Sequence, residues 1–327
     1  MVIPGFRLGG SAVALLISLL LFLPAGASAT TGADLRVVNT AGRTLADQRQ
    51  YTGTVWIKTD PDADCFGAPG GSGDRVRVPG ATALGIVRDA LETDLDLRPL
   101  SVTDQFSFGL AVCGIGGFQA SGSSFWYLKH NHAGAQVGGD QLTLQQGDQV
   151  LWYLSPGFPP PVELALRAPA RAKPGVPFEV TVLQFDDSGA RLPAAGATVY
   201  GGTSPVTTGP QGKATVTVTT QGTSALRATR SSDGSIPSNR VIVCVNSDLT
   251  KCPSVHGKFI VGSQRADAIG GTRGWDGISA RGSDDVVNIT SGGRDRVRCG
   301  TGRDRVVVSL GDTDDVIADS CEQVVRR

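Results

Sequence analysis

From Asp267 to Ile317 the chain repeats one short phrase: an aspartate, any residue, then isoleucine or valine. The units are Asp267 with Ile269, Asp276 with Ile278, Asp285 with Val287, Asp295 with Val297, Asp304 with Val306, and Asp315 with Ile317, at intervals of nine, nine, ten, nine and eleven. Asp284 with Val286 is an equally legitimate third unit. Glycines precede most units by two residues: Gly274, Gly282 (for Asp284), Gly293 and Gly302. This recurrence of one acidic and one aliphatic residue about every nine positions bears on function more than any other feature of the chain.

The rest of the chain is also built for strands. Among 327 residues there are 44 glycines, 18 prolines and a single methionine, the profile of short strands joined by tight turns. This length exceeds what one core usually serves, so several domains are expected. Thirty basic and thirty acidic residues cancel, which argues against a general attraction to nucleic acid or anionic lipid.

At the start, Arg7 precedes the apolar run GGSAVALLISLLLFL, Pro24 breaks it, and Ala27-Ser28-Ala29 supplies a small-x-small cleavage pattern. Residues 1–29 therefore read as a secretory signal peptide, with no retained transmembrane segment and an extracellular destination, free or at the cell surface. Export puts the six cysteines where disulfides persist. Fifteen pairings are possible. The local one, Cys65–Cys113, Cys244–Cys252 and Cys299–Cys321, is favoured because each pair falls inside one candidate domain.

Residues 30–156 read as strands around one helix. The run ATALGIVRDALE places Leu84, Val87 and Leu91 on one face, with Thr82 as its cap. The stretch SSFWYLKHNHAGAQVGGDQLTLQQGDQVLWYLSP is similar to the end of a domain of unknown function related to the C-terminal domain of transcobalamin. Trp126, Tyr127, Asn131, Val137, Gly138, Gly147, Asp148, Trp152 and Tyr153 carry the likeness. The resemblance implies a β-grasp-like α+β fold and suggests a small-ligand, cobalamin-like binding module. His132 departs from it, standing where glycine usually completes an Asn-Gly turn. The four aromatics read as packing residues, and His130 with His132 lack an evident third metal ligand.

After PGFPPP, a stiff extended linker, residues 162–245 alternate with period two in PFEVTVLQF and KATVTVTT. That predicts an antiparallel β-sandwich. The run GTSALRATRSSDGSIPSNRVIVCV resembles an Ig-like module of actinobacterial exported proteins, which implies a spacer.

The tail, residues 255–327, is similar to the RTX (hemolysin-type) repeat G-G-x-G-x-D-x-U-x in degenerate form. The resemblance implies a parallel β-roll in which two nonapeptides make one coil, and Ca2+ held between stacked turns by backbone carbonyls and aspartates. Asp267, Asp276, Asp284, Asp285, Asp295, Asp304 and Asp315 are its candidate ligands. Stacking would pair Asp267 with Asp285, Asp276 with Asp295, Asp285 with Asp304, and Asp295 with Asp315. Bare carboxylates about 5 Å apart repel by roughly 1 to 3 kcal/mol, so something must offset them. Calcium is one answer. The flanking Arg294, Arg296, Arg298, Arg303 and Arg305 are another. The repeats Gly271 to Asp276 and Gly300 to Asp304 are the best preserved.

The mature chain has no Gly-x-Ser-x-Gly, His-Glu-x-x-His or phosphate-binding glycine loop, and no enzyme is expected. A multidomain, mainly β, calcium-binding structural or adhesive protein with an unassigned extracellular partner is the leading expectation.

Overall fold

A computed structural model describes residues 31–67, 70–252 and 257–327. Residues 1–29, where a signal peptide is expected, and His256 lie outside the described residues. The fold is mainly β, in three successive regions.

In the first region a mixed sheet runs edge to edge through Thr44–Thr52, Thr31–Val38, Gln149–Ser155, Phe125–His130 and Ala133–Gly134. Its first and last long strands, Thr31–Val38 and Gln149–Ser155, lie parallel at the centre. Parallel neighbours need a crossover, and Ala83–Ala90 provides the helix within it. Thr82 caps that helix by accepting the Gly85 N–H at 3.0 Å, while Leu84 and Val87 are fully buried against the sheet. This is the β-grasp-like arrangement expected. Trp126, Trp152 and Tyr153 are buried here, and the indole N–H groups of Trp126 and Trp152 donate to Phe118 O and Ala83 O. They are core residues rather than a stacking platform.

The second region packs two sheets face to face. One contains Glu163–Arg167, Phe178–Phe185, Arg191–Pro193 and Lys213–Val216; the other centres on Gly222–Thr229 and Val241–Val245. Val180, Val182, Val216, Leu226 and Val243, the inward members of the alternation, form the core between them.

From Phe259 the chain winds as a coil with two parallel sheets. Strands Phe259–Val261, Gly277–Ser279, Arg296–Arg298 and Val316–Ile317 stack on one side, and Ala268–Gly270, Val286–Asn288, Arg305–Val308 and Gln323–Arg326 on the other. The aliphatic member of each unit points inward: Ile278, Val287, Val297 and Val306 are fully buried. A second inward row two residues on holds Ala280, Ile289, Cys299 and Val308. The coil thus begins one strand earlier and ends one strand later than the aspartate phrase.

All three disulfides follow the local pairing, Cys65–Cys113, Cys244–Cys252 and Cys299–Cys321. Among the described residues no helix is long and apolar enough to cross a membrane.

The regions are bonded together rather than strung on a free linker. Glu163, at the start of the second region, is 2 % exposed and receives Arg36, Lys129 (3.7 Å) and His132 (3.0 Å) from the first. His132 adopts φ +75° and stacks on Phe185 at 3.9 Å. A histidine here, in place of the expected glycine, accepts an unfavourable backbone conformation in return for a contact across the junction. The coil docks on the first region through Tyr51, which packs on Phe259 and donates to Gly277 O. Arg298 bonds Asp89 at 3.0 Å and Glu92 at 2.8 Å.

Candidate functional site: two ladders of aspartates

Each turn of the coil places its aspartate beneath the aspartate one full coil earlier. On one side the Asp267 N–H donates to Asp285 Oδ1, the Asp285 N–H to Asp304 Oδ1, and the Asp304 N–H to Glu322 Oε2, each at 2.8 Å. On the other side the Asp276 N–H donates to Asp295 Oδ1 at 2.8 Å and the Asp295 N–H to Asp315 Oδ1 at 2.9 Å. Every expected pair is stacked. The two ladders form because the strand after each aspartate is in register with the strand one coil on, Val287 facing Val306 for example.

Asp284 does not join them. It is exposed and accepts the Arg303 N–H at 2.9 Å, so Asp285 is the ladder residue of the third unit. The choice follows from side-chain direction: in a strand alternate residues face opposite ways, and Val287, not Val286, points into the core. Glu322 is the last rung of its ladder and escapes the aspartate pattern, because glutamate stands there in place of aspartate. Its spacing to Val324 keeps the acid-x-aliphatic phrase and is the signal that could reveal it.

The second oxygen of each carboxylate separates the rungs into two kinds. Asp267 Oδ2 accepts the Ser263 N–H at 2.5 Å. Asp276 is satisfied by Thr272, whose N–H reaches Oδ2 and whose hydroxyl reaches Oδ1 at 2.8 Å. By contrast Asp285 Oδ2, Asp304 Oδ2, Asp295 Oδ2 and Asp315 Oδ2 are all buried with no hydrogen-bond partner among the described residues. A buried polar atom left unpaired costs free energy on the order of 1–3 kcal/mol, more for a charged one. Four such atoms, two in each ladder, are the most unusual feature of the molecule. The preserved motif Gly271 to Asp276 is therefore the closed end of its ladder, and the open pairs are Asp285 with Asp304 and Asp295 with Asp315.

Electrostatics match this geometry. Burial pushes the Asp295 carboxyl up to about 7, with the Asp276 and Asp315 carboxylates adding to it and the Asp276 N–H partly opposing it. Asp315 is raised to about 6, again chiefly by burial, with Asp312 and Asp314 adding negative charge. Asp285 is raised too, by burial and then by Asp304, Asp267 and Asp284. Among the described residues, none of the five arginines named above forms an ion pair with a ladder carboxylate. Arg296 and Arg298 flank Val297 and so face out of the coil, Arg298 toward Asp89 and Glu92.

The turns leave room for backbone oxygens. Gly300 and Gly302 take φ +102° and +141°, and a Cβ on either would collide with the carbonyl of Arg281 or Ser283, respectively, in the turn one coil earlier. Arg281 and Ser283 themselves occupy the left-handed region at +81° and +74°, where the repeat would carry glycine. Among the described residues no three His, Cys, Asp or Glu side chains converge as a metal cluster. What the coil presents is paired carboxylates beside turn carbonyls, a hard-oxygen donor set suited to Ca2+. His130 and His132 do not converge: His130 contacts Asp148 at 2.8 Å and His132 contacts Glu163.

No protein-family model and no curated protein sequence matches this chain.

Proposed function

We propose that this is an exported, non-enzymatic structural or adhesive protein whose C-terminal coil binds Ca2+ at two places, between Asp285 and Asp304 and between Asp295 and Asp315. The observation that carries this reading is the set of four buried, unpartnered carboxylate oxygens at those residues. A divalent cation would supply the positive charge each pair lacks, and carbonyls such as Ser283 O would complete an oxygen shell. The degenerate RTX-like spacing supports the same assignment. Calcium would then hold adjacent coils together, so binding and ordering of the tail are one equilibrium.

Calorimetric titration of the chelator-stripped chain tests the proposal. It requires binding heat at or below millimolar Ca2+ and a higher melting temperature for the coil. At about 100-fold excess over Kd, each site would add roughly 2.7 kcal/mol of stability. Absence of heat at millimolar Ca2+ would rule the ion out.

A further inference from the structure

Where the three regions meet there is an open cleft of about 300 Å3, which shares wall residues with a second of about 240 Å3. Arg240 of the second region and Arg294 and Arg296 of the coil line both. Most other charges there are already used. Asp34 is bonded by Arg49 at 2.8 Å, and half-buried Asp47 takes Arg227 and the Arg240 N–H. Arg294 and Arg296 are different: neither forms an ion pair among the described residues. Arg294 lies over the Trp275 ring, 5.8 Å from its centroid. Arg296 Nη1 is buried without a hydrogen-bond partner.

A guanidinium is rarely left so, because its fork of donors is costly to bury unpaired. Burial lowers the Arg296 pKa to about 10; Asp94 counters this, while Arg294 and Arg240 reinforce it. Asp276 and Asp96 also line the cleft, but Asp276 is bonded through Thr272 and Asp96 pairs with Arg43 at 3.5 Å; among the described residues neither Asp94 nor Asp314, the other acids near the pair, forms an ion pair with either arginine. Val241, Ile242, Ala168 and Trp275 give the cleft apolar lining as well.

We propose that this cleft binds a small organic anion, a carboxylate or phosphate headgroup held by Arg294 and Arg296 with an apolar body against Val241, Ile242 and Trp275. Two guanidiniums suit an oxyanion, which accepts charge-assisted hydrogen bonds from each, and a cleft of this size holds a body of a few carbons. Because all three regions contribute walls, such a ligand would also brace their junction. The cleft meets the ladders at Asp276, whose two oxygens are already bonded through Thr272, and its two arginines flank Asp295 on the outer face of the coil.

Isothermal titration of the full chain with hexanoate, hexyl phosphate, neutral hexanamide and inorganic phosphate tests this. One of the two hexyl anions should bind at one site, at least about tenfold more tightly than hexanamide and than inorganic phosphate; the tighter one assigns the headgroup. Arg296→Gln should weaken that binding by roughly tenfold or more while leaving calcium binding heat intact. Arg294→Gln serves as the second variant if Arg296→Gln does not fold, as judged by circular dichroism. Equal binding of hexanamide and the anions, binding of inorganic phosphate alone, no binding of either hexyl anion, or undiminished affinity in a folded arginine variant would overturn the proposal. Loss of calcium heat with retained anion binding would count against the ladder sites only.

Discussion

Asp295 accepts the backbone N–H of Asp276 through Oδ1 at 2.8 Å, while its Oδ2 is buried and bonded to nothing. The first contact sets the register of the coil; the second leaves a demand for positive charge. Stability of the metal-free coil and affinity for a cation therefore depend on the same atoms, in opposite directions.

The pH dependence follows. Folding raises Asp295 from 3.8 to about 7 and Asp315 from 3.8 to about 6, so the folded coil prefers the protonated acids. For groups raised on folding, stability is gained as pH falls through the folded values and lost as it rises through them. The metal-free coil should be more stable at about pH 5 than at about pH 8, by an amount on the order of a few kcal/mol. Hydrogen exchange at the Asp276 and Asp295 amides would show it. Calcium requires the ionised form, so its affinity should fall over the same interval, by roughly tenfold per pH unit for each proton displaced.

Substituting single rungs should separate open sites from closed ones. Asp304→Asn removes an unpartnered oxygen, and the calcium stoichiometry should fall from two to one. Asp276 already has both oxygens bonded through Thr272, so Asp276→Asn should keep both ions while weakening the turn locally, by about 1 kcal/mol. Titration calorimetry reads both outcomes.

Two glycines offer a matched pair. Gly302 and Gly292 both have positive φ, but only at Gly302 would a Cβ strike backbone, at the Ser283 carbonyl. Gly302→Ala should cost about 1–3 kcal/mol more than Gly292→Ala in chemical denaturation of the coil. The same substitution should depress calcium binding, since the carbonyl would be pushed out of the turn.

Much of this architecture is legible in the residues themselves. The Asp-x-aliphatic period predicts the coil because each letter has one physical role, first a turn corner and then an inward side chain. The alternation around Val180 and Val216 marks the sandwich in the same way, and Thr82 marks the helix start. The choice of Asp285 over Asp284 is not visible, since both precede an aliphatic residue by two and only the coil's register decides. Nor is the closure of Asp276, because it depends on where Thr272 folds back. Contacts between distant segments, such as His132 on Phe185 or Arg298 on Asp89, leave no periodic trace and emerge only in three dimensions.

At the junction of the first two regions, Arg36, Lys129 and His132 surround one acid. Burial raises the Glu163 carboxyl, but Arg36, His132 and Lys129 outweigh it and bring it below its usual range. Lys129, with fewer opposite charges around it, stays lowered by burial. Glu163→Gln would strand two buried cations and should destabilise the chain by about 3–5 kcal/mol in denaturant titration. Glu179→Gln, which loses only an exposed pair with Lys213, should change stability by less than about 1 kcal/mol.

The most direct test is a crystal structure grown in millimolar calcium and inspected for anomalous scattering. Two ions are expected, one between Asp285 and Asp304 and one between Asp295 and Asp315, each about 2.3–2.6 Å from carboxylate oxygens that are otherwise unpartnered. Stacked aspartates with no ion between them, in saturating calcium, would contradict the calcium assignment.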